Sequence, residues 1–309
     1  MSAGTRVVAQ RSFRVMGCES HVIITAGTDA LLDRAEARLR ELESLWSRFL
    51  PDSDITRANQ AAGTPVRVHE DTLAVILRSI EAWKQTRGLF DITVLPALVH
   101  HGYTHSAVTS AAAPRVSQQI IGVSGAVEVD LAHATICVPA GGAIDLGGIG
   151  KGFAADIVAE ELIEAGALGA LVNIGGDISV LGVPHIPGDT SWVLGIEDPT
   201  AVPTHIARVA LTCGGVATSG TTIRHWNTAS GQQAHHLIDP NTALPATTTL
   251  LTATVIAGDT ATAEVFATAA MMSDGPAAVV LLDRVGLSGL MVGTDGTVYR
   301  TKNLGAFIP

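Results

Sequence analysis

The chain has 309 residues, of which 47% are hydrophobic and 16% are charged, a composition typical of a folded globular protein. Its formal net charge is -10 and its basic residues form no cluster, which argues against nucleic acid as a partner. The three cysteines have no CxxC or metal-binding spacing, and no segment approaches the roughly 18 apolar residues of a membrane-spanning helix. Because no N-terminal signal segment is visible, we predict a cytoplasmic protein without a membrane span.

The N-terminal third predicts strands followed by two helices. Residues 1–11 are expected to be a flexible N-terminus. Alternating residues from Ser12 to Thr25 predict two short strands, or one bulged strand, around Met16-Gly17. Apolar residues at helical spacing predict helices from about Asp29 to Trp46 and from about Glu70 to Thr86, with turn and loop at residues 51–65 between them.

The middle of the chain is less regular. The segment Phe90 to Val99 opens like a strand and breaks at a proline, and a loop is expected from about His100 to Pro114. The stretch Val127 to Pro139 predicts a hairpin. A glycine-rich segment then leads into a helix from about Gly152 to Ala165.

The C-terminal half alternates strands and helices. A strand, a Gly-Gly turn and a second strand are predicted from Ala170 to Gly182, and further strands from Ser191 to Ser219 and up to the Pro240 turn. Helices are expected to begin near Asp259 and near Pro276, and a terminal hairpin is built on residues 295–296. Helices and strands mix irregularly and no linker is evident, so we predict one α+β domain over residues 1–309.

The segment Asp145 to Gly152, DLGGIGKG, is the clearest chemical signal. Its glycines let a ligand approach the backbone, and the first N–H groups of a helix attract phosphate. Lys151 is followed by Gly152 and not by Ser or Thr, so the segment is not a Walker A loop. It also lacks the framing strand and acidic residue of a Rossmann unit. Spacing alone leaves phosphate binding and a plain tight turn as equal alternatives.

A second signal comes from Glu264 and Thr268, which lie four residues apart on a predicted helix and share a face. Both side chains offer the hard oxygen ligands that Mg²⁺ prefers. A surface glutamate and a helix-buried threonine explain the same spacing.

Four further polar residues lie beside turns. His235 and His236 precede a strand end, where a histidine serves as a base, as a phosphate contact or in a structural role. Asp91 in FDITV and Asp177 in NIGGD have backbone capping as their simpler explanation. Taken singly, none of the four indicates a function.

In order, these segments resemble the ApbE family of FAD:protein FMN transferases, from about Met16 over nearly the whole chain. The matched segments are MGCESHV, SRFLPDSDITRAN, FDITVLPAL, DLGGIGKGFAAD, ALVNIGGDI, VATSG, HHLIDP and TATAEVFATA. The family's Y/F-x-P-x-S-x-I-x-x-x-N, FDPTVGPL and DLGGIAKGYAAD patterns correspond to the second, third and fourth of them. The ordered set is specific, and it implies a single-domain α+β fold of mixed sheets with surrounding helices.

The resemblance also implies site residues. Gly150, through its carbonyl, Glu264 and Thr268 match the family's magnesium ligands, and His236 matches the histidine implicated in catalysis. Positions that line the FAD pocket are matched by Met16, Phe49, Leu89, Phe90, Asp91, Gly147, Phe153, His236, Leu237 and Ile238.

The implied activity is magnesium-dependent transfer of FMN from FAD to a threonine hydroxyl of an acceptor protein, with release of AMP. The acceptor expected from the family is a redox subunit or an FMN-binding domain. Three positions depart from the family: Glu264 and Thr221 stand where Asp is usual, and Gly150 stands where Ala is usual. Two alternatives therefore remain, an FAD-binding protein without transfer activity and an FAD pyrophosphatase that gives FMN and AMP.

Overall fold

The computed structural model describes residues 8–103, 120–184, 186, 188–222, 225–227 and 233–309. The chain forms two compact units. Unit 1 is drawn from Met1–Arg40, Lys151–Gly220 and Thr249–Pro309, and unit 2 from Glu41–Gly150 and Thr221–Thr248. A single domain over residues 1–309 stays a prediction.

The secondary structure mixes helices and strands along the whole described chain. The α-helices are α1 (Asp29–Trp46), α2 (Asp54–Gln60), α3 (Glu70–Gln85), α4 (Leu95–His100), α5 (Gly150–Glu164), α6 (Thr260–Ala270) and α7 (Gly275–Arg284). The strands are β1 (Val8–Val15), β2 (Cys18–Thr25), β3 (Val66–Arg67), β4 (Glu128–Asp130), β5 (Thr135–Cys137), β6 (Gly169–Ile174), β7 (Asp177–Gly182), β8 (Trp192–Glu197), β9 (His205–Leu211), β10 (Gly214–Gly220), β11 (His225–Asn227), β12 (Gln233–His235), β13 (Leu250–Ala257), β14 (Ser288–Gly293) and β15 (Val298–Arg300).

Unit 1 is built on an eight-stranded sheet in the order β1-β2-β6-β7-β10-β13-β14-β15, with antiparallel neighbours throughout. One face packs against the β8–β9 hairpin, where Trp192 and Leu194 meet Val216 in a buried core. Successive strand residues point to opposite faces. Gly215 therefore faces the other way, towards α6, and a Cβ on it would lie 2.3 Å from Thr260 Cα. The sheet is thus covered on both sides.

Unit 2 contains α2, α3, α4, the three-stranded sheet β3-β5-β4 and the β11–β12 pair. A small apolar core joins Leu95 and Leu98 of α4 to Ala143 and Ile238. This core places α4 beside the segments that precede α5 and follow β12.

Several sequence predictions are confirmed. Helix α1 has the predicted bounds, and α3 ends one residue before the predicted Thr86. Met16 and Gly17, with φ of 51° and 74°, form the turn between β1 and β2, which decides for two strands over one bulged strand. The hairpins β4–β5, β6–β7 and β14–β15 also lie where they were predicted.

The predicted strand at Phe90 is wrong. Residues Ile92–Val94 form a 3₁₀ turn, and α4 begins at Leu95. The Asp91 carboxylate accepts the Thr93 N–H at 2.6 Å and so caps this turn. Pro96 lies in the first turn of α4, where its missing N–H has no helical partner to lose. Capping and proline placement outweigh the strand-like composition.

Two other boundaries differ from the predictions. Residues 51–65 include the unexpected helix α2, which starts because Ser53 Oγ accepts the Thr56 N–H at 3.0 Å. Helix α5 begins at Gly150, two residues before the predicted start.

The expected flexible N-terminus does not hold for residues 8–11, which pair with β2. Residues 1–7 and residues 104–114 of the predicted loop lie outside the described residues. Among the helices that the structure describes, none combines the length and the apolar composition of a membrane span.

Candidate functional site

Two buried carboxylates in unit 1 share one ammonium group. Lys151 Nζ donates hydrogen bonds to Asp177 Oδ2 and Glu264 Oε1. Both acidic side chains are 3% exposed and the lysine side chain is 16% exposed. We call Lys151, Asp177 and Glu264 the carboxylate cluster. With all three side chains ionised, its charge is net negative.

Gly152 lets two helices meet at this cluster. A Cβ on Gly152 would lie 2.6 Å from the Thr260 carbonyl oxygen, so only glycine permits the close contact between the first turns of α5 and α6. The Gly152 N–H donates to Glu264 Oε2 at 2.8 Å. The Glu264 carboxylate therefore lies at the N-terminal end of α5, where N–H groups and the helix dipole stabilise negative charge.

Glu264 is the most perturbed acid of the cluster. Burial raises the pKa of Glu264 to about 7; the Lys151 ammonium opposes the shift, and the Asp177 carboxylate adds to it. A divalent cation at the cluster would favour the ionised form of Glu264.

The start of α6 is fixed by two carboxylates. Asp156 of α5 accepts the N–H groups of Thr260 and Ala261, both at 2.9 Å. Asp259 accepts the Thr262 N–H at 2.8 Å. Burial raises the pKa of Asp156, and its hydrogen bonds to α6 oppose the shift. Because the first three N–H groups of α6 are satisfied, the helix that carries two predicted metal ligands is held firmly against α5.

Thr268 lies one turn after Glu264 on α6. Its Oγ1 is 3.1 Å from Ser219 Oγ of β10, and both residues are half-buried. The structure therefore places these two predicted metal ligands on one helix in unit 1. Gly150 is the buried first residue of α5, and an added Cβ would lie at an ordinary contact distance of 3.4 Å from Leu146 Cβ. The alanine usual in the family would fit there.

Two predicted pocket residues belong to unit 1. Met16 lies in the β1–β2 turn and Phe153 in the first turn of α5, and both are half-buried. Because β2 pairs with β6, the Met16 turn lies at the same sheet end as the Gly-Gly turn before Asp177. A Cβ on Gly175 would lie 2.7 Å from Cys18 Sγ, so the two turns touch.

Arg48 organises the DLGG segment in unit 2. Its Nε lies 2.7 Å from Asp145 Oδ2, and its Nη2 donates to the Tyr103 carbonyl at 3.2 Å. The guanidinium carbon is 4.1 Å from the Phe49 ring centre and 4.9 Å from that of Tyr103. Asp145 also accepts the Gly147 N–H at 2.8 Å. One buried ion pair thus connects Phe49 and Gly147, two of the predicted pocket residues.

Asp91 has a structural role. Its Oδ1 accepts the Thr93 N–H and the Ser124 hydroxyl at 2.6 Å and 2.8 Å. Asp91 and Phe90 are 5% and 3% exposed, whereas Leu89 is half-buried. Of these three predicted pocket residues, Leu89 therefore has the most accessible side chain.

The two histidines lie at the end of β12 and directly after it. The His235 Nε2–H donates to the Ala246 carbonyl at 3.1 Å, and burial lowers the pKa of His235. His236 is half-buried directly after β12. Leu237 and Ile238 are each 4% exposed, so what they offer a ligand is mainly backbone.

Sequence reasoning assigned no role to Lys151, Asp156 or Arg48. Lys151 stands inside DLGGIGKG, so its motif gave a signal, but its partners lie 26 and 113 residues away. Asp156 is the last residue of the DLGGIGKGFAAD segment. Arg48 adjoins Phe49 and has no spacing that would reveal it.

The chemistry of the oxygen donors fits magnesium. No group of three His, Cys, Asp or Glu side chains suited to a metal occurs in the described part of the chain. Glu264, Asp177 and Thr268 nevertheless supply hard oxygens, and a carboxylate oxygen that accepts one hydrogen bond retains a lone pair. Such a partial set suits an ion that is completed by substrate phosphates and water.

Solved structures share this fold. The ApbE protein of Thermotoga maritima superposes with a TM-score of 0.85 at 24% identity, covering 98% of this chain and all of that chain. The flavinyl transferase ApbE of Pseudomonas stutzeri, in its apo form, gives a TM-score of 0.81 at 23% identity over 100% of this chain and 99% of that chain. The predicted α+β class is confirmed.

Sequence comparison supplies the family. A Haemophilus influenzae protein named FAD:protein FMN transferase is 28% identical over 98% of this chain and 91% of its own length. The family model described as the ApbE family matches residues 16–291. The chain belongs to the ApbE family.

Proposed function

We propose that the protein transfers FMN from FAD to a threonine hydroxyl of an acceptor protein, with magnesium, and releases AMP. Family membership and relatives named FAD:protein FMN transferase support this activity. The observation that carries the metal requirement is the buried carboxylate cluster, with the Thr268 hydroxyl one turn away on α6. The family resemblance adds the Gly150 carbonyl as a third ligand.

The reaction breaks the phosphoanhydride bond of FAD and forms a phosphate ester bond between FMN and threonine. The threonine oxygen attacks the FMN-side phosphorus of FAD, the bond to the AMP oxygen breaks, and the threonine proton passes to a base. His236 is our choice for that base, because the resemblance matches it to the histidine implicated in catalysis. When bound, magnesium would neutralise charge on the pyrophosphate. The cluster's part is to hold the cation, and the N-terminus of α5 favours phosphate.

The FAD pocket remains a proposal from the resemblance. Met16, Phe49, Leu89 and Phe153 are half-buried and Gly147 is exposed, which supports direct contact. The residues with buried side chains contribute backbone or support: Phe90, Asp91, Leu237 and Ile238. A redox subunit or FMN-binding domain as acceptor and the cytoplasmic location also remain predictions.

The activity can be tested with the full chain, FAD, MgCl₂ and a threonine-containing flavin-acceptor domain. We expect acceptor that stays fluorescent on a denaturing gel and one AMP per flavin attached. FMN and AMP without labelling would identify the pyrophosphatase alternative. Intact FAD bound to the protein would identify a binding protein without transfer activity.

Glu264→Gln tests the metal assignment. The variant keeps the side-chain length but removes a charged oxygen ligand, so we expect labelling to fall by at least about 100-fold and the magnesium requirement to change. Glu164→Gln, at the exposed end of α5, is the matched control and should label at the wild-type rate. Unchanged activity and magnesium dependence in Glu264→Gln would refute the assignment.

A further inference from the structure

The cation in the carboxylate cluster is a lysine and not an arginine. The chain has three lysines, and only Lys151 is drawn into a buried cluster; Lys84 and Lys302 are 60% and 86% exposed. An ammonium group is a compact charge on a flexible stem, whereas a guanidinium is a planar fork held by several directed bonds. Lysine can therefore release its partners by rotating its side chain.

The cluster cannot hold two cations on the same oxygen atoms. Lys151 contacts both Asp177 and Glu264, whose side chains are 3% exposed. In so dry a site, an ammonium and a divalent ion on the same carboxylates would repel strongly. A divalent ion alone balances the two carboxylates, which one ammonium does not.

We propose that Lys151 is the resident cation of the carboxylate cluster, and that a divalent cation binds Asp177 together with Glu264 by displacing the ammonium from both. This inference rests on the proposed function, which puts the metal at Glu264. Asp177 is thereby added to the metal site. Lys151 becomes a positioning residue that holds the two carboxylates before the metal arrives.

Metal titration of the Lys151→Met variant tests the displacement. Mn²⁺ binding to the metal-stripped full chain, without FAD, is measured by the paramagnetic signal of free Mn²⁺. Without its internal competitor the variant should bind Mn²⁺ at least about tenfold more tightly than the wild type. Lys302→Met, which removes an exposed lysine 3.9 Å from Asp283, should leave the Kd unchanged. Equal or weaker binding by a folded Lys151→Met would overturn the proposal.

Asp177→Asn tests the added ligand. We expect it to weaken Mn²⁺ binding by about tenfold in the wild-type background and again in the Lys151→Met background. An unchanged Kd in both backgrounds would remove Asp177 from the site.

Displacement of Lys151 can also be tested in the wild-type protein, where the result does not depend on whether a variant folds. Lys151 should be labelled slowly by an amine-acylating reagent in the metal-free protein and several-fold faster at saturating Mn²⁺, while Lys84 and Lys302 are labelled equally in both. Labelling of Lys151 that does not respond to bound Mn²⁺ would overturn displacement even if FMN transfer is magnesium-dependent. A wild type that binds no Mn²⁺ and transfers no FMN would overturn the proposed function as well.

Discussion

The carboxylate cluster of unit 1 and the Arg48–Asp145 pair of unit 2 are both buried ion pairs, but they are built for different tasks. In the first, a lysine serves two carboxylates, and the charge is net negative when all three side chains are ionised. In the second, an arginine serves one carboxylate while Phe49 and Tyr103 cover its guanidinium. A balanced, aromatic-lined pair fixes a segment, whereas an under-neutralised pair on a flexible stem can accept another cation.

The largest loss of stability should come from removing Arg48, because this breaks the Arg48–Asp145 pair of unit 2. Arg48→Met leaves Asp145 without its cation, and we expect unfolding free energy to fall by about 3–5 kcal/mol in urea denaturation. Arg11→Met, which breaks solvent-exposed contacts with Asp33 at 2.6 Å and Glu36 at 3.4 Å, should lower it far less. The folded Arg48→Met protein should retain its Mn²⁺ affinity. Equal costs for the two substitutions would contradict the fixed role of Arg48.

Gly152→Ala should disturb the carboxylate cluster through the backbone. Its methyl group would lie 2.6 Å from the Thr260 carbonyl oxygen, so α6 must shift, at a cost of about 1–3 kcal/mol and with loss of FMN transfer. The control is Gly258→Ala, where an added Cβ meets nothing within 4 Å. Thermal unfolding and labelling of the acceptor measure the two effects. If Gly152→Ala matched the wild type in both, α5 and α6 could separate slightly without loss of stability or activity.

In the metal-free protein, the ionisation of Glu264 should lower the stability of the fold as the pH rises. The folded-state pKa is raised from 4.5 to about 7, so the folded protein binds the extra proton between these values. The contribution of Glu264 to the unfolding free energy therefore falls as pH rises from about 4.5 to about 7, by on the order of 1–3 kcal/mol. Urea midpoints of wild type and Glu264→Gln across this range should diverge accordingly. Parallel curves would mean that Lys151 compensates the burial fully.

Ser219→Ala should have the smallest effect. It removes the hydroxyl 3.1 Å from Thr268 Oγ1, and we expect Mn²⁺ binding to weaken by about two- to tenfold. Thr218→Val on the same strand removes a comparable contact, the 2.9 Å pair with Thr254, and should leave the Kd unchanged. Identical behaviour of the two variants would leave Ser219 with a packing role only.

Local signals in the sequence predict much of the fold. The 3.6-residue apolar spacing gives α1 and α3 within a residue. The Met16-Gly17 break, the Gly-Gly turn and the Asp-Gly turn mark three hairpins. Prediction fails where a side chain caps the backbone. At residues 90–99, Asp91 turns a strand-like segment into a 3₁₀ turn and α4, and at Ser53 a cap starts the short helix α2.

The sequence predicts the motifs of the candidate site but not which of their side chains contact one another. Glu264 and Thr268 follow from helical spacing and the family pattern. That Lys151 bridges Asp177 to Glu264 depends on how α5, β7 and α6 pack, and no spacing rule relates residues 26 and 113 positions apart. The role of Arg48 could not be predicted for the same reason, since its carboxylate partner is 97 positions away (145 minus 48).

The capped start of α6 has a consequence for local motion. In most helices the first amides exchange with solvent fastest, because they lack a helical acceptor. Here the amides of Thr260, Ala261 and Thr262 are bonded to Asp156 and Asp259. These amides should exchange deuterium as slowly as the middle of the helix, so α6 has no fraying end at the turn that precedes its two predicted metal ligands.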